Sequence, residues 1–223
     1  MKTILSFIIL TIITLNATNS SQLIVVTSKN WKTSNGELKR YEYKNNKWNR
    51  VGKIVSVKLG RNGLGWGIGL HKIPSTSKYI KREGDGKAPA GVFNLKEAFG
   101  YKPLNISYPY RIYRRKNHCI DDINSKYYNQ IVDSSKVKRD YKSFEYMKFN
   151  KNYYKYGIVV NHNSKALKGR GSCIFIHIKN IPTAGCTVMK EYEIKEILKW
   201  LDKNKNPLLI QAPQSVIKSL LPF

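Results

Sequence analysis

The sequence is poor in acidic residues and in cysteine. Fourteen Asp and Glu stand against 40 Lys and Arg in 223 residues, a formal charge of +26. The basic residues run from Lys29 to Lys218 instead of collecting in a tail, so the imbalance belongs to the whole particle. Such a charge draws a protein to polyanions, although a drift of composition towards Lys and Asn that serves only solubility gives the same count. Three cysteines, Cys119, Cys173 and Cys186, are too few for a disulfide framework, and an odd number leaves at least one thiol free. There is no CxxC pair, and His71, His118, His162 and His177 never fall at HExxH spacing. No metal and no cofactor is expected. The Gly-x-Gly spacings between residues 60 and 100 have no βαβ surroundings and are not a dinucleotide fingerprint.

Long apolar runs are also missing after the first residues. Met1 and Lys2 precede an apolar stretch from Ile4 to Leu15, which gives way to "NATNSSQ", the layout of a secretory signal peptide. About 12 apolar residues fall well short of the roughly 20 that span a bilayer. No cysteine follows the stretch, which excludes a lipoprotein anchor there. Residues 1–20 are therefore expected to be a signal peptide, leaving 21–223 as a single domain with no transmembrane segment. About 200 residues suffice for one real core.

What is present is mostly strand and turn. "QLIVVT" (22–27), "ELKRYEY" (37–43), "KWNRVGKIVSVKL" (47–59), "YKYGIVVNH" (154–162), "CIFIHI" (173–178) and "PLLIQ" (207–211) are β-branched or aromatic runs bounded by Asn, Gly and Pro. Asn45-Asn46 reads as a hairpin turn. The glycine density from 60 to 100 predicts ordered loops and argues against helix. One amphipathic helix is predicted over 190–202, where Ile194, Ile197, Leu198 and Leu201 recur at i, i+3, i+4, i+7.

A free thiol in an exported protein calls for a reason, and nucleophilic catalysis supplies one. Cys186 lies in a Thr-Ala-Gly-Cys turn that the spacing places at the N-terminus of the predicted helix, where backbone N–H groups favour a thiolate and a nearby oxyanion. Strand alternation puts Cys173, Phe175 and His177 on one face, and Ile174, Ile176 and Ile178 on the core face. His177 is then within reach of Cys186, with Cys173 too far up the strand to compete. On the residues alone, a structural strand histidine is still the commoner case. Asp121 and Asp122 read as a turn, or as partners of an arginine such as Arg111. The Lys/Tyr-rich stretch 136–157 reads as a solvated face or a contact to an anionic wall, and no nucleic acid is expected as partner. His71 and His118 read as surface or structural residues.

Three blocks together resemble a known family. "GRGSCIFIHIKNIPTAGCTVM" (169–189) is similar to the active-site region of the L,D-transpeptidase catalytic domain (YkuD-like) family, in the branch with a short His to Pro-Thr-Ala-Gly-Cys spacing. "KREGDGKAPAGVFNLKEAFGY" (81–101) and "CIDDINSKYYNQIVD" (119–133) resemble that branch's two upstream stretches, in the same order. The resemblance implies a mainly β, β-sandwich-like fold with one amphipathic helix after the cysteine. It implies Cys186 as nucleophile and His177 as base and acid. Gly185, with Cys186, would supply oxyanion N–H groups. Asn161, His162, Gly171, Ser172 and Thr183 flank that site and would hold the donor, although alternation puts only one of Asn161 and His162 on the site face. The better-known pattern has a second histidine where this chain has Ala184, and commonly Gly or Ser where it has Ile178. His177 would then be the sole base, oriented through a backbone carbonyl. The implied partners are peptidoglycan stem peptides and anionic wall polymers, in the periplasm or cell wall. The implied reaction is thioester formation at a tetrapeptide stem with release of D-Ala and transfer to an acceptor amine. An L,D-carboxypeptidase would use the same residues, and a basic wall-binding module without catalysis would have no need of them.

Overall fold

The computed structural model describes residues 20–223, so the expected signal peptide lies outside the described residues but for Ser20. In chain order the strands are β1 (Gln22–Ser28), β2 (Asn35–Lys44), β3 (Lys47–Lys58), β4 (Leu64–Trp66), β5 (Ala88–Gly100), β6 (Tyr110–Ile112), β7 (Asn117–Cys119), β8 (Ile131–Asp133), β9 (Glu145–Tyr146), β10 (Tyr156–Val160), β11 (Phe175–Ile178), β12 (Thr187–Met189) and β13 (Leu208–Pro213). Helix α1 (Glu191–Trp200) follows β12, and a short α2 (Gln214–Ile217) follows β13. The molecule is mainly β, as its strand-like runs predict. The larger sheet runs β10-β11-β12-β3-β2-β1-β13-β5, and β5 pairs back to β10, so the sheet closes on itself as a barrel. The expected mainly β class holds, and where a sandwich-like arrangement was expected the structure has one closed sheet. Closure leaves few unpaired edges.

Each element has a local cause. Asn45 and Asn46 both adopt positive φ, 54° and 59°, the backbone a tight two-residue hairpin requires, and β2 and β3 pair across them. All but one residue of β1 is buried, because it is a central strand between β2 and β13 with cover on both faces. Helix α1 buries Ile194, Ile197 and Leu198 on the predicted stripe, with Leu201 just beyond its end, and packs on β10 and β11. Glu193 accepts a hydrogen bond from the Lys190 N–H (3.1 Å) and so closes the first turn.

The glycine-rich stretch departs from the loop expectation over its second half. Ala88–Gly100 is a single strand that pairs with β13, β10, β4 and β6 in turn. Its residues are small where neighbours crowd it. Gly91, at φ +139°, has the His71 ring where a side chain would sit, and the Val92 N–H donates to His71 Nδ1 (3.0 Å).

A smaller sheet, β8-β7-β9, stands beside the barrel. Cys119 at the end of β7 is disulfide-bonded to Cys173, just ahead of β11, and Cys186 is the free cysteine. The bond spans 54 positions in sequence and ties the small sheet to the barrel. A loop of that size corresponds to about 4 kcal/mol of lost unfolded-state entropy. The double variant Cys119→Ser/Cys173→Ser is expected to lose about 2–4 kcal/mol in a urea titration; an unchanged midpoint would show that the small sheet is held by packing alone.

Candidate active site

The alternation predicted for residues 173–178 holds. Ile174 and Ile176 join the main core, whereas Cys173 and Phe175 pack with Phe99, Tyr154, Val188 and Cys186 in a second cluster on the opposite face. Strand β11 runs antiparallel to β10, with His177 opposite Gly157, and parallel to β12, with Ile176 opposite Thr187 and His177 opposite Val188. Cys186 precedes β12 and so falls one step diagonally from His177 on the same face, roughly 8 Å away between Cα atoms for this strand spacing. Both side chains open into one pocket of about 580 Å³, within the usual size for a small-molecule site.

The imidazole orientation follows from its partners. His177 Nδ1 faces the carbonyl oxygens of Tyr153 (3.2 Å) and Ile178 (3.1 Å). Both are acceptors only, so Nδ1 carries the proton and Nε2 keeps its lone pair. Burial holds the imidazole down at about 4, so it is neutral near pH 7. The Cys186 sulfur accepts from the Phe175 N–H (3.3 Å) and its thiol points to the Cys173 carbonyl (3.5 Å). Burial pushes the thiol strongly up, with the nearby Glu145 carboxylate adding to it, while Lys81 and Lys179 pull the other way. At rest the pair is thiol and neutral imidazole.

One expectation about the cysteine is corrected. Cys186 is not at a helix N-terminus: strand β12 intervenes, and α1 begins only at Glu191. The apolar run Thr187–Met189 extends and pairs with β11 and β3 before the chain turns helical. No helix dipole therefore favours the thiolate, and the local positive field comes from Lys81 and Lys179.

The other predicted residues divide. Ser172, Thr183 and Gly185 line the pocket. Thr183 Oγ1 accepts from the Gly185 N–H (3.1 Å) and donates to the Cys186 carbonyl (2.6 Å), which fixes the turn that carries the thiol. The Gly185 N–H is thus engaged, and would serve an oxyanion only as that bond yields. Asn161 and Gly171 are not in the pocket. The Asn161 N–H donates to the Asn94 carbonyl (2.9 Å), and its residue faces a separate small cavity behind Cys119 and Cys173. Gly171, at φ +95°, packs against His162 and Lys81, and its carbonyl accepts from Asn163 Nδ2 (3.0 Å). His162 is a core residue whose Nδ1 accepts from the Ile68 N–H (3.2 Å) and whose Nε2 donates to the Arg170 carbonyl (3.0 Å).

Several pocket residues escaped the sequence reading. Glu83 takes hydrogen bonds from Ser172 Oγ (2.7 Å) and from the Tyr128 hydroxyl, joining all three sequence blocks at one carboxylate. Asn129 Oδ1 accepts from the Cys173 N–H (3.0 Å), where Cys173 is held at φ +53°. Asp121 lines the pocket, with Oδ1 buried and unpartnered, while Asp122 caps a turn by accepting from the Asn124 and Lys142 N–H groups (2.9 and 2.8 Å). Arg111 pairs instead with Glu97 (3.2 Å). The stretch 136–157, expected to be a solvated face, contributes Glu145, Tyr153 and Tyr154 to the pocket. The signal available was Glu145 itself, a lone Glu between aromatics in a run of Lys and Arg. Among the described residues no group of three or more His, Cys, Asp or Glu stands where it could hold a metal ion.

Neither the family models nor the curated proteins match the chain. Among solved structures it is similar to a Bdellovibrio bacteriovorus protein, Bd1075, at a TM-score of 0.42 and 13% identity, over 86% of this chain. The chain spans about half of that protein, 47% of its length.

The buried titrating groups give the site an acid signature. His162 and His177 are both held at about 4 in the folded state against an ordinary 6.5. The unfolded chain therefore protonates first, and their stabilisation, full above about 6.5, is lost as pH falls towards 4. His71 and His118 shift the same way. Glu145, pushed up to about 7, has the opposite sign: its contribution is present at low pH and lost as pH rises from its ordinary 4.5 through 7. The histidines outweigh it, so unfolding free energy should be on the order of 1–2 kcal/mol lower at pH 5 than at pH 6.5. His162→Gln should narrow that gap; urea titrations that give equal values at both pH values would contradict the assignment.

Proposed function

We propose that the protein is an exported cysteine L,D-transpeptidase of the YkuD-like type, acting on tetrapeptide stems of peptidoglycan. The observation that supports this best is the convergence of three separate sequence blocks on one pocket. Lys81 and Glu83 come from the first, Asp121 and the Glu83 ligand Tyr128 from the second, and His177 and Cys186 from the third. The backbone orientation of His177 is the one the resemblance implies, and the disulfide suits an oxidising compartment. Among the described residues no helix is long and apolar enough to cross a membrane.

In this reading His177 Nε2 takes the Cys186 proton as sulfur attacks the amide carbonyl between stem residue 3 and the terminal D-Ala. Because thiol and imidazole both rest neutral in a buried pocket, proton transfer accompanies attack instead of preceding it. The oxyanion is met by the Cys186 N–H and by the Gly185 N–H as the latter exchanges its bond to Thr183. Collapse of the tetrahedral species breaks the C–N bond, and His177 returns the proton to the departing D-Ala amine. The thioester then passes to an acceptor amine, whose proton His177 removes, giving a 3-to-3 crosslink. Passage to water gives a tripeptide, the carboxypeptidase outcome of the same chemistry. The basic surface would hold the enzyme against anionic wall polymers of the periplasm or cell wall.

Mass spectrometry of muropeptides incubated with the protein lacking residues 1–20 tests the reading. Loss of D-Ala with crosslinked dimers is expected, and untouched tetrapeptides would refute it. Cys186→Ala should abolish turnover, and His177→Ala should lower it on the order of 10²–10⁴-fold. A carbapenem, as a strained amide, should add once and map to Cys186; an adduct that forms equally fast in His177→Ala would mean the thiol is exposed without being activated.

A further inference from the structure

His177 is steadied from one side by residues 152–154, a single 3-10 turn ahead of β10. Tyr153 gives its carbonyl to the imidazole Nδ1–H. The next residue, Tyr154, sets its ring edge-on to the imidazole, with centroids 4.8 Å apart and planes at 76°. Tyr154 is itself buried among Phe99 and Phe175. A phenol at that depth needs an acceptor, and the hydroxyl donates to Glu145 Oε2, carried by β9. Strand β9 pairs with β7, whose Cys119 is bonded to Cys173. The Cys173 carbonyl in turn receives the Cys186 thiol. A chain of contacts therefore runs from the nucleophile through the small sheet to the base.

The turn at 152–154 is packed through the Tyr154 ring on Phe99, Phe149 and Phe175, and the Tyr101 hydroxyl donates to the Lys151 carbonyl (3.2 Å), but Lys151 makes no side-chain capping bond and the Tyr154 hydroxyl has Glu145 as its acceptor. The Ile178 carbonyl alone belongs to the residue beside His177 and cannot fix the ring plane from outside its own strand. We propose that Tyr154, anchored through its hydroxyl by Glu145, is a positioning residue for His177, and that the small sheet carries this anchor. This rests on the dyad assigned under the proposed function. The anchor keeps the Tyr153 carbonyl on Nδ1, and so keeps the proton off Nε2, the nitrogen the proposed dyad uses as base.

A charge role for Glu145 is distinguishable from an anchoring one. Its carboxyl stands in the field of Asp121 and Glu83, opposed by Lys179, and its negative charge disfavours the Cys186 thiolate. Glu145→Gln keeps an acceptor for the Tyr154 hydroxyl and removes the charge, so it should leave the base in place. Glu145→Ala and Tyr154→Phe each break the anchor.

Two readouts test this without any substrate. One is the side-chain ¹⁵N spectrum of His177, which reports the tautomer. The other is the rate of iodoacetamide alkylation at near-neutral pH, specific because Cys186 is the free cysteine. Wild type and Glu145→Gln are expected to show a single Nδ1–H tautomer, with alkylation of Glu145→Gln at least as fast as that of wild type because the opposing charge is gone. Glu145→Ala and Tyr154→Phe are expected to show mixed tautomers and roughly tenfold slower alkylation, with the disulfide and circular dichroism unchanged. The proposal is overturned if the anchorless variants keep the single tautomer and the wild-type rate, or if Glu145→Gln behaves like Glu145→Ala. Muropeptides left intact by the wild type would sink the transpeptidase reading and would leave the tautomer result standing.

Discussion

Everything in the site depends on the parallel register between β11 and β12. It sets Ile176 opposite Thr187 and His177 opposite Val188, and so brings the thiol to the imidazole face of the sheet. Parallel neighbours ordinarily need a crossover of a dozen or more residues, yet here the chain returns over Lys179–Cys186 alone. Thr183 makes that short return workable. Its N–H donates to the Leu59 carbonyl (2.9 Å), its carbonyl accepts from the Arg61 N–H (2.8 Å), and its hydroxyl closes the turn at Gly185 and Cys186. On the other side of the sheet the Thr187 hydroxyl donates to Gln211 of β13 (2.7 Å), which pins the register from within the barrel. A slip of one residue would turn Cys186 towards the isoleucine face and remove it from the pocket.

The same packing that places the Cys186 thiol makes it reluctant to ionise. Cys186 and His177 are 7% and 5% exposed, and burial disfavours both charged partners of a thiolate–imidazolium pair. Lys81 and Lys179 at the pocket wall act against that burial by favouring the ionised thiol. Lys81 is held there by Asp85 (2.7 Å) and is itself almost fully buried.

Much of this was legible in the sequence wherever one local rule decided the outcome. Alternation alone separated His177 from Ile176, the Asn45-Asn46 pair marked its hairpin, and the 3.6-residue period marked α1. Strand β5 was not legible because it opens on Ala-Pro-Ala-Gly, buried throughout, and its alternation of buried Phe93 and Leu95 with exposed Asn94 and Lys96 is too short to stand out from the glycine-rich stretch before it. The helix-terminus setting of Cys186 failed for a related reason: Thr187–Met189 is too short a run to register as a strand, and it is paired by β11 and by β3, the latter distant in sequence. Glu145 and Tyr154 were missed because their importance is relational. The β7–β9 pairing and the disulfide bring Glu145 to the pocket, and the β10–β11 pairing brings Tyr154.

The scarcity of acidic residues acquires a meaning in the folded chain. Three of the 14, Glu83, Asp121 and Glu145, line the one pocket that holds the free thiol. Others sit at junctions: Glu42 accepts from Trp200 Nε1 (2.7 Å), Gln22 Nε2 (3.3 Å) and Lys205 Nζ (3.2 Å) where β1, β2 and the end of α1 meet, and Glu97 accepts from the Tyr113 hydroxyl (2.5 Å). The molecule thereby combines a large positive net charge with a pocket in which Lys81 and Lys179 stand among three carboxylates. Attraction to a polyanion acts over about a Debye length and weakens with salt, whereas the pocket contacts are short and desolvated. The pull that a charge of +26 exerts on any polyanion and the choice of what enters the pocket are therefore separable properties of one sequence, governed by different residues and different ranges of the same force.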